Sequence, residues 1–488
     1  MVSGRRRSRS TARLIVLALV VVTWVLASLV SPPFQAATVA TAATRPNVLV
    51  VVTDDQLDGT VTPQVMPNLY REMVQSGVEF TNGFVSNSWC CPSRASILTG
   101  QYSGHNGVWT TGGTWGLKAW RPHEGSTLAT WMHAAGYRTG IVGKYMNGFA
   151  ADAATTYTPA GWDTTAIPMD LTYKDGAGFY NYDLWENGHA VHYGTAPNDY
   201  STRVFTQKAR TFIAPSNDTR PWFLYLAYTA PHGPGGPDPL DTSAGAGVTF
   251  PMPPSVCEKD VSDKPAFIRS KPLCSITPTQ YSNKMRDQQL RMLASVDRGL
   301  GQVFSDLRAS GALGNTLVLF TSDNGHELWE HRVRVKELPY EESIRVPLLA
   351  RWDALGSAAV GTRTQLALNI DIAPTVVEAA GVAQHGSFDG ASLLPAMAGA
   401  SAPSRPDFLI EHKMLNSNDE GGPSYCGVRT PRWKFVLYQT GERELYDLTA
   451  DPYELRSLHR DAAYRTTMAS LEARAKQLCA PPPPGWTP

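Results

Sequence analysis

The run Asn47–Thr53 (NVLVVVT) is apolar at nearly every position and ends in Asp54-Asp55. An unbroken apolar stretch of this length predicts a strand buried on both faces, as in a parallel sheet. Trp222–Thr229 and Thr316–Ser322 repeat the pattern, the first leading to Pro231-His232 and the second to Asp323-Asn324. Tyr137–Gly143 is a fourth strand of this kind and delivers Lys144. Between these runs the spacing of apolar positions changes to that of helices, over Pro67–Gly77, Ser126–Gly136 and a long amphipathic stretch at Thr279–Ser310. Strands alternating with helices predict an α/β fold built on a doubly wound, mostly parallel sheet. Such sheets bind ligands at the carboxyl ends of their strands. Asp54, Asp55, Lys144, His232, Asp323 and Asn324 all fall there, and that convergence is the first sign of a reactive site.

The later pattern is different. Gly233–Pro254 is rich in Pro and Gly and reads as a long surface loop, and Gly399–Pro406 (GASAPSRP) reads as a linker. Beyond it, Asp407–Glu411, Trp433–Tyr438 and Arg443–Asp447 predict short strands of a small antiparallel subdomain. The expected organisation is a leader at 1–44, a catalytic domain at 45–398, a C-terminal α+β subdomain at 407–480 and a loose tail at 481–488.

Charge removes some functions from consideration. Lys+Arg and Asp+Glu both number 43 among 488 residues, so no excess charge recruits nucleic acid or an anionic membrane. The N-terminus breaks this balance. Arg5, Arg6, Arg7, Arg9 and Arg13 precede the apolar run Leu14–Val30, and the small-residue stretch Ala36–Thr44 follows. That is the layout of an export signal, with an uncleaved anchor as the alternative and the only route to a membrane. From about Arg45 onward the chain is therefore expected to be secreted or extracytoplasmic. Six cysteines in an exported chain favour disulfides. Cys257–Cys274 and Cys426–Cys479 are the candidate pairs, although spacing alone does not fix the connectivity.

That leaves Cys90 and Cys91, adjacent in Ser86–Gly100 (SNSWCCPSRASILTG). Pro92 suits the first turn of a helix, where its missing N–H costs nothing. Cys90 then sits at the positive helix end with Arg94 in reach, where a developing anion is stabilised. A lone cysteine in such a place more often only packs, and Asp-Asp after a strand more often caps a turn. Two acidic pairs, Asp54-Asp55 and Asp323-Asn324, at two strand ends favour a metal instead. Their donors are all oxygen, which suits Ca²⁺ or Mg²⁺ rather than zinc.

The run Cys90–Gly100 resembles the signature of the type I sulfatases, in which the first cysteine of Cys-x-Pro-Ser-Arg is oxidised to Cα-formylglycine. Gly136–Lys144 (GYRTGIVGK) resembles the second signature, and Asp323-Asn324-Gly325, Lys336 and Tyr340–Pro347 (YEESIRVP) resemble the family's later segment. Glu444–Glu454 is similar to its C-terminal subdomain. Gly143–Gly148, Pro159–Trp162 and Ala230–Pro234 resemble the glucosamine-6-sulfatase branch most. The resemblance implies the alkaline-phosphatase-superfamily sandwich and hydrolysis of a sulfate monoester of a sugar or aryl alcohol. It implies Ca²⁺ held by Asp54, Asp55, Asp323, Asn324 and the modified Cys90, and maturation by a formylglycine-generating enzyme. It assigns Arg94 and Lys144 to charge around the nucleophile, Lys336 to the sulfate, and His232 to protonation of the leaving alcohol. Met146 stands where many members carry histidine, and the glucosamine-6 branch likewise places an apolar residue there. Of His326 and His331 after Asp323-Asn324-Gly325, His331 is the slightly favoured candidate. The rival functions are phosphonate monoester or phosphodiester hydrolysis and a silent carbohydrate-binding relative.

Overall fold

The computed structural model describes Met1 and residues 45–149, 157–169, 178–383, 386–399, 404–416 and 421–488; the leader lies outside the described residues. Residues 45–488 form one compact unit. No helix among the described residues is long and apolar enough to cross a membrane.

A ten-stranded sheet runs through it. In chain order its strands are β1 (Asn47–Thr53), β2 (Val78–Phe84), β3 (Arg138–Gly143), β4 (Thr164–Pro168), β5 (Tyr182–Glu186), β6 (His189–Tyr193), β7 (Trp222–Ala227), β8 (Thr316–Ser322), β9 (Leu348–Arg351) and β10 (Gly361–Leu368). Their order across the sheet is β10-β2-β9-β8-β1-β7-β3-β4-β5-β6. β8, β1, β7, β3 and β4 are parallel, β9 is inserted antiparallel between β2 and β8, and β5-β6 is an antiparallel hairpin at one edge. The expected doubly wound, mostly parallel sheet is therefore present, with β9 reversed within it and an antiparallel hairpin at one edge.

Alternation along β1 explains why it is central. Val48, Val50 and Val52 pack on one face with Ile97, Leu98 and Val376, from the helices Cys90–Thr99 and Ile372–Ala379. Leu49 and Val51 pack on the other with Phe205, Leu300 and Phe304, from Ser201–Ile213 and Arg291–Ala309. Burying each such side chain contributes roughly 1.5–3 kcal/mol, so this strand cannot be wetted on either side without large loss. The Thr279–Ser310 pattern forms a helix from Pro278, interrupted at Arg286–Leu290 by a wider π turn.

The second sheet has four antiparallel strands in chain order: β11 (Phe408–His412), β12 (Tyr425–Arg429), β13 (Trp433–Tyr438) and β14 (Arg443–Asp447). The helix Arg465–Leu478 covers it through Leu471 and Ala475 against Phe435 and Leu445. Phe408 and Ile410 meet Phe84 and Leu368 of the large sheet in a shared core. Cys426–Cys479 ties β12 to the end of that helix, and Cys257–Cys274 closes a loop, as the sequence suggested.

Register places the strand ends together. Thr53 pairs with Ser322, so the residues after β1 and β8 emerge side by side. Gly143 pairs with Ala227, and the Lys144 amide then donates to the Ala227 carbonyl at 2.8 Å. At Gly143 the backbone is left-handed, with φ 98°, and a Cβ would lie 1.9 Å from that carbonyl oxygen. Gly143→Ala is expected to cost about 2–4 kcal/mol of stability. Urea unfolding measures this, and an unchanged midpoint would contradict the packing described.

Candidate functional site

The helix Cys90–Thr99 begins abruptly after extended Trp89, with Pro92 in its first turn, and ends at left-handed Gly100. All ten of its residues are buried, so its N-terminus is pinned inside the protein. Cys90 is the first residue, and Arg94 lies one turn on, along the same helix face. Around them the strand ends supply charge. Cys90 Sγ lies 3.6 Å from Asp54 Oδ1 and 3.0 Å from Lys336 Nζ. Lys336 Nζ is 2.5 Å from Asp55 Oδ1, and Lys144 Nζ is 2.5 Å from Asp54 Oδ2. Arg94 donates from Nε to Asp323 Oδ2 at 2.8 Å, and its Nη2 is 2.7 Å from the same oxygen and 3.7 Å from Asp54 Oδ2. Its Nη1 donates to the Lys144 carbonyl at 2.8 Å, so the helix and β3 are locked to each other.

Three carboxylates thus face three cations in a buried pocket. Burial alone would raise Asp54, but Lys144, His232 and Arg94 pull it down to about 2. Burial likewise opposes the charge of Asp55, which His232 and Lys336 hold ionised. Asp323 goes the other way, to about 6, because burial and the neighbouring Asp54 outweigh Arg94. Burial pushes the Cys90 thiol up to about 12 despite Lys144 and Lys336. Reactive thiols have depressed values, so an unaltered Cys90 is a poor nucleophile here.

The oxygen set fits a hard divalent cation. Asp54, Asp55, Cys90 and His232 each offer a ligand atom within 4.8 Å of the others. Asn324 Nδ2 donates to Asp55 Oδ1 at 2.6 Å, while its buried Oδ1 accepts no hydrogen bond. An orphaned buried carbonyl costs about 1–3 kcal/mol unless something engages it, and a cation between these oxygens would do so.

His232, on the turn after β7, has Nε2 3.6 Å from Asp55 Oδ2. Burial lowers its pKa to about 4 against the pull of Asp55, which leaves a neutral imidazole at neutral pH. Asp55, His232, His326 and Lys336 all line one open cavity of about 780 Å³.

One expectation needs correction. His331 is not at this cavity. Three residues with left-handed backbone, Trp329, His331 and Arg332, make a tight turn that carries it away. Its Nδ1 lies 2.7 Å from Glu258 Oε2, and its ring stacks on Tyr340 at 3.9 Å, fully buried. His326 takes the cavity position instead. Its nearness to the end of β8 was the available signal, since only one residue separates it from Asn324. Gln289 also escaped the sequence reading. The π turn presents its side chain to the Asp55 loop, where Nε2 donates to the Asp55 carbonyl at 2.8 Å and Oε1 accepts from the Leu57 amide at 3.2 Å. π turns often occur at functional sites, but nothing in the apolar spacing marks this one.

A family model described as Sulfatase matches residues 46–382, and one described as N-sulphoglucosamine sulphohydrolase, C-terminal, matches 329–480. The chain is 31% identical over 378 residues to the extracellular sulfatase SULF-1 homolog of Drosophila melanogaster, across 75% of this chain but only 33% of that protein. It therefore spans about a third of that relative's length. It is 29% identical to human N-acetylglucosamine-6-sulfatase over 86% of this chain and 82% of that one. With the N-acetylglucosamine-6-O-sulfatase of Bacteroides thetaiotaomicron it shares 27% identity over 89% and 87%. Among solved structures, a protein bound to its substrate D-glucosamine-2-N,6-O-disulfate superposes with a TM-score of 0.77 at 23% identity, covering 90% of this chain and 98% of that one. The phosphonate monoester hydrolase of Silicibacter pomeroyi superposes with a TM-score of 0.70 at 22% identity, over 89% and 95%. At such identities the two structures show a shared fold.

Proposed function

This chain belongs to the sulfatase family, the sulfuric ester hydrolases, and from that membership we propose that it cleaves sulfate monoesters of sugars, 6-sulfated N-acetylglucosamine first among them. The observation that carries the reading is the position of Cys90, at a helix N-terminus and within 3.6 Å of both a metal-type carboxylate and a lysine ammonium.

Oxidation of Cys90 to Cα-formylglycine, by a formylglycine-generating enzyme, supplies a hydrated aldehyde with two hydroxyls on one carbon, one to attack sulfur and one to expel sulfate afterwards. Asp54, Asp55, Asp323 and Asn324 would hold Ca²⁺, with Mg²⁺ as the alternative, and the ion supplies positive charge where the sulfate oxyanion develops. The chain's own residues account for the rest. Arg94 and Lys144 fix and neutralise Asp54 and Asp323. Lys336 reaches both the nucleophile position and Asp55, and offers its remaining N–H groups to the sulfate. Three carboxylates against three of these cations leave no net charge, so a bound divalent ion makes the pocket attractive to a sulfate ester anion.

His232 enters the cycle as a neutral base. It becomes an acid for the leaving alcohol only after taking up a proton from solvent, which it then passes on. His232→Ala is accordingly expected to slow a sugar sulfate by about 100-fold or more, but 4-nitrophenyl sulfate by less than about tenfold, because that leaving group needs no proton. Steady-state kinetics on the two esters checks this, and equal losses would contradict the role.

Export is part of the proposal. An arginine-led apolar leader, two disulfides and relatives named as extracellular sulfatases support it. The function is tested by side-by-side turnover of N-acetylglucosamine 6-sulfate, an aryl sulfate and an aryl phosphonate monoester. Sulfate release is expected to dominate. A preference for the phosphonate by orders of magnitude would overturn the reading.

A further inference from the structure

We propose that Lys284 and Arg334, set against Trp329 in the wall of the catalytic cavity, form a subsite for a second sulfo group of the substrate, so that the site selects disulfated over monosulfated sugars. This rests on reading the cavity as a sulfate-ester site.

Four cations line the cavity: Lys284, Arg291, Arg334 and Lys336. Two of them are spoken for. Lys336 binds Asp55 at 2.5 Å, and Arg291 binds Asp287 at 3.0 Å, one helical turn away. Lys284 and Arg334 have no carboxylate within ion-pair distance among the described residues, although both are exposed. What Lys284 and Arg334 share is Trp329. The Arg334 guanidinium carbon lies 5.1 Å from the centroid of its ring, and Lys284 Nζ lies 6.0 Å from it.

Trp329 is a fixed support. Its backbone is left-handed, with φ 80°. Its amide donates to the Val333 carbonyl at 2.8 Å, and its carbonyl accepts from the amide of disulfide-bonded Cys257 at 2.9 Å. A cation resting on an indole keeps its charge, loses rotamer freedom in advance and satisfies no anion, so it is prepared to meet one.

Spacing suits two substituents on one ring. Arg334 and Lys336 are two residues apart in a stretch without helical turn, a repeat of about 7 Å in extended chain. Lys336 points into the floor beside Cys90, where the reacting sulfate belongs, while Arg334 is at the exposed wall. A pyranose with one sulfo group at the floor can bring a second, across the ring, to the wall.

The test is calorimetric binding to the full-length Cys90→Ala protein with Ca²⁺ present. The ligands are N-acetylglucosamine 6-sulfate, glucosamine 2-N,6-O-disulfate and a 6-sulfated N-acetylglucosamine linked to a uronate. The disulfate is expected to bind at least about tenfold more tightly than the monosulfate, an advantage that shrinks with added NaCl. Lys284→Gln with Arg334→Gln brings the two within about twofold, leaves the monosulfate unchanged and leaves the unfolding midpoint unchanged, as expected for exposed side chains. Parity in the parent, a preference that survives the double substitution, or no binding of either sugar overturns the subsite. A preference confined to the uronate disaccharide overturns the sulfo assignment in favour of a carboxylate. Sulfate release by protein with residue 90 intact is measured separately, so failure of hydrolysis counts against the enzymatic reading while the binding ratio still decides the subsite.

Discussion

Replacing Cys90 with alanine lowers turnover of a sulfate ester by about 10,000-fold or more, because it removes the atom on which the covalent step depends. Stability changes little. Among the described residues the sulfur makes two polar contacts, at 3.6 Å to Asp54 and 3.0 Å to Lys336, and the helix start is set by Trp89, Pro92 and their neighbours rather than by sulfur. The Cys90→Ser variant separates the two halves of the chemistry. A single hydroxyl can attack sulfur, but no second hydroxyl on the same carbon remains to expel the sulfate. At most one turnover per protein chain is then expected, read as a stoichiometric burst of alcohol in rapid-quench kinetics. Multiple turnover by Cys90→Ala or Cys90→Ser at near-parental rates would contradict the assignment.

Removal of divalent ions is the second large effect. Chelation followed by desalting is expected to lower sulfate ester turnover by about 100-fold or more, with Ca²⁺ restoring it. It also leaves Asp54, Asp55 and Asp323 with only Arg94, Lys144 and Lys336 as counter-charges, and Asn324 Oδ1 unengaged. Added Ca²⁺ therefore raises the thermal midpoint, since a ligand at 100 times its dissociation constant stabilises by about 2.7 kcal/mol. Asp55→Asn abolishes both the rescue and the thermal shift. Full activity in chelator, or a midpoint indifferent to Ca²⁺, would contradict a cation at these oxygens.

Most of the elements legible in the sequence share a physical cause, the edge strand β14 (RELYD) being the exception. β1, β8, β13 and β14 have the bounds their residue patterns predict, and β3 and β7 differ only at their ends. Buried central strands must be apolar on both faces, which leaves an unbroken signal and a polar residue where the strand escapes the core. The outer strands of the large sheet carry no such mark. β5 (YDLWE) and β6 (HAVHY) are short and mix polar with apolar residues in no regular alternation, while β2 (VEFTNGF) contains Asn and Gly against its own strand character. β12 was missed for a similar reason, with a glycine at its centre.

Site residues divide in the same way. Asp54, Asp55, Lys144, His232, Asp323 and Asn324 come together because each follows a strand, and Cys90 and Arg94 because they lie in the first turns of a helix, whose place is set by burial, whereas Lys336 arrives on an irregular stretch well after β8. His331 left the site, and His326 and Gln289 entered it, through a left-handed turn and a π turn. Both are conformations of a few residues that apolar periodicity does not encode.

The most direct measurement is the mass of the peptide containing residue 90, taken from protein whose specific activity has been determined. The account predicts an aldehyde, with CHO in place of CH₂SH, in a fraction that rises in step with activity across preparations. Fully active protein carrying an intact Cys90 thiol would contradict it.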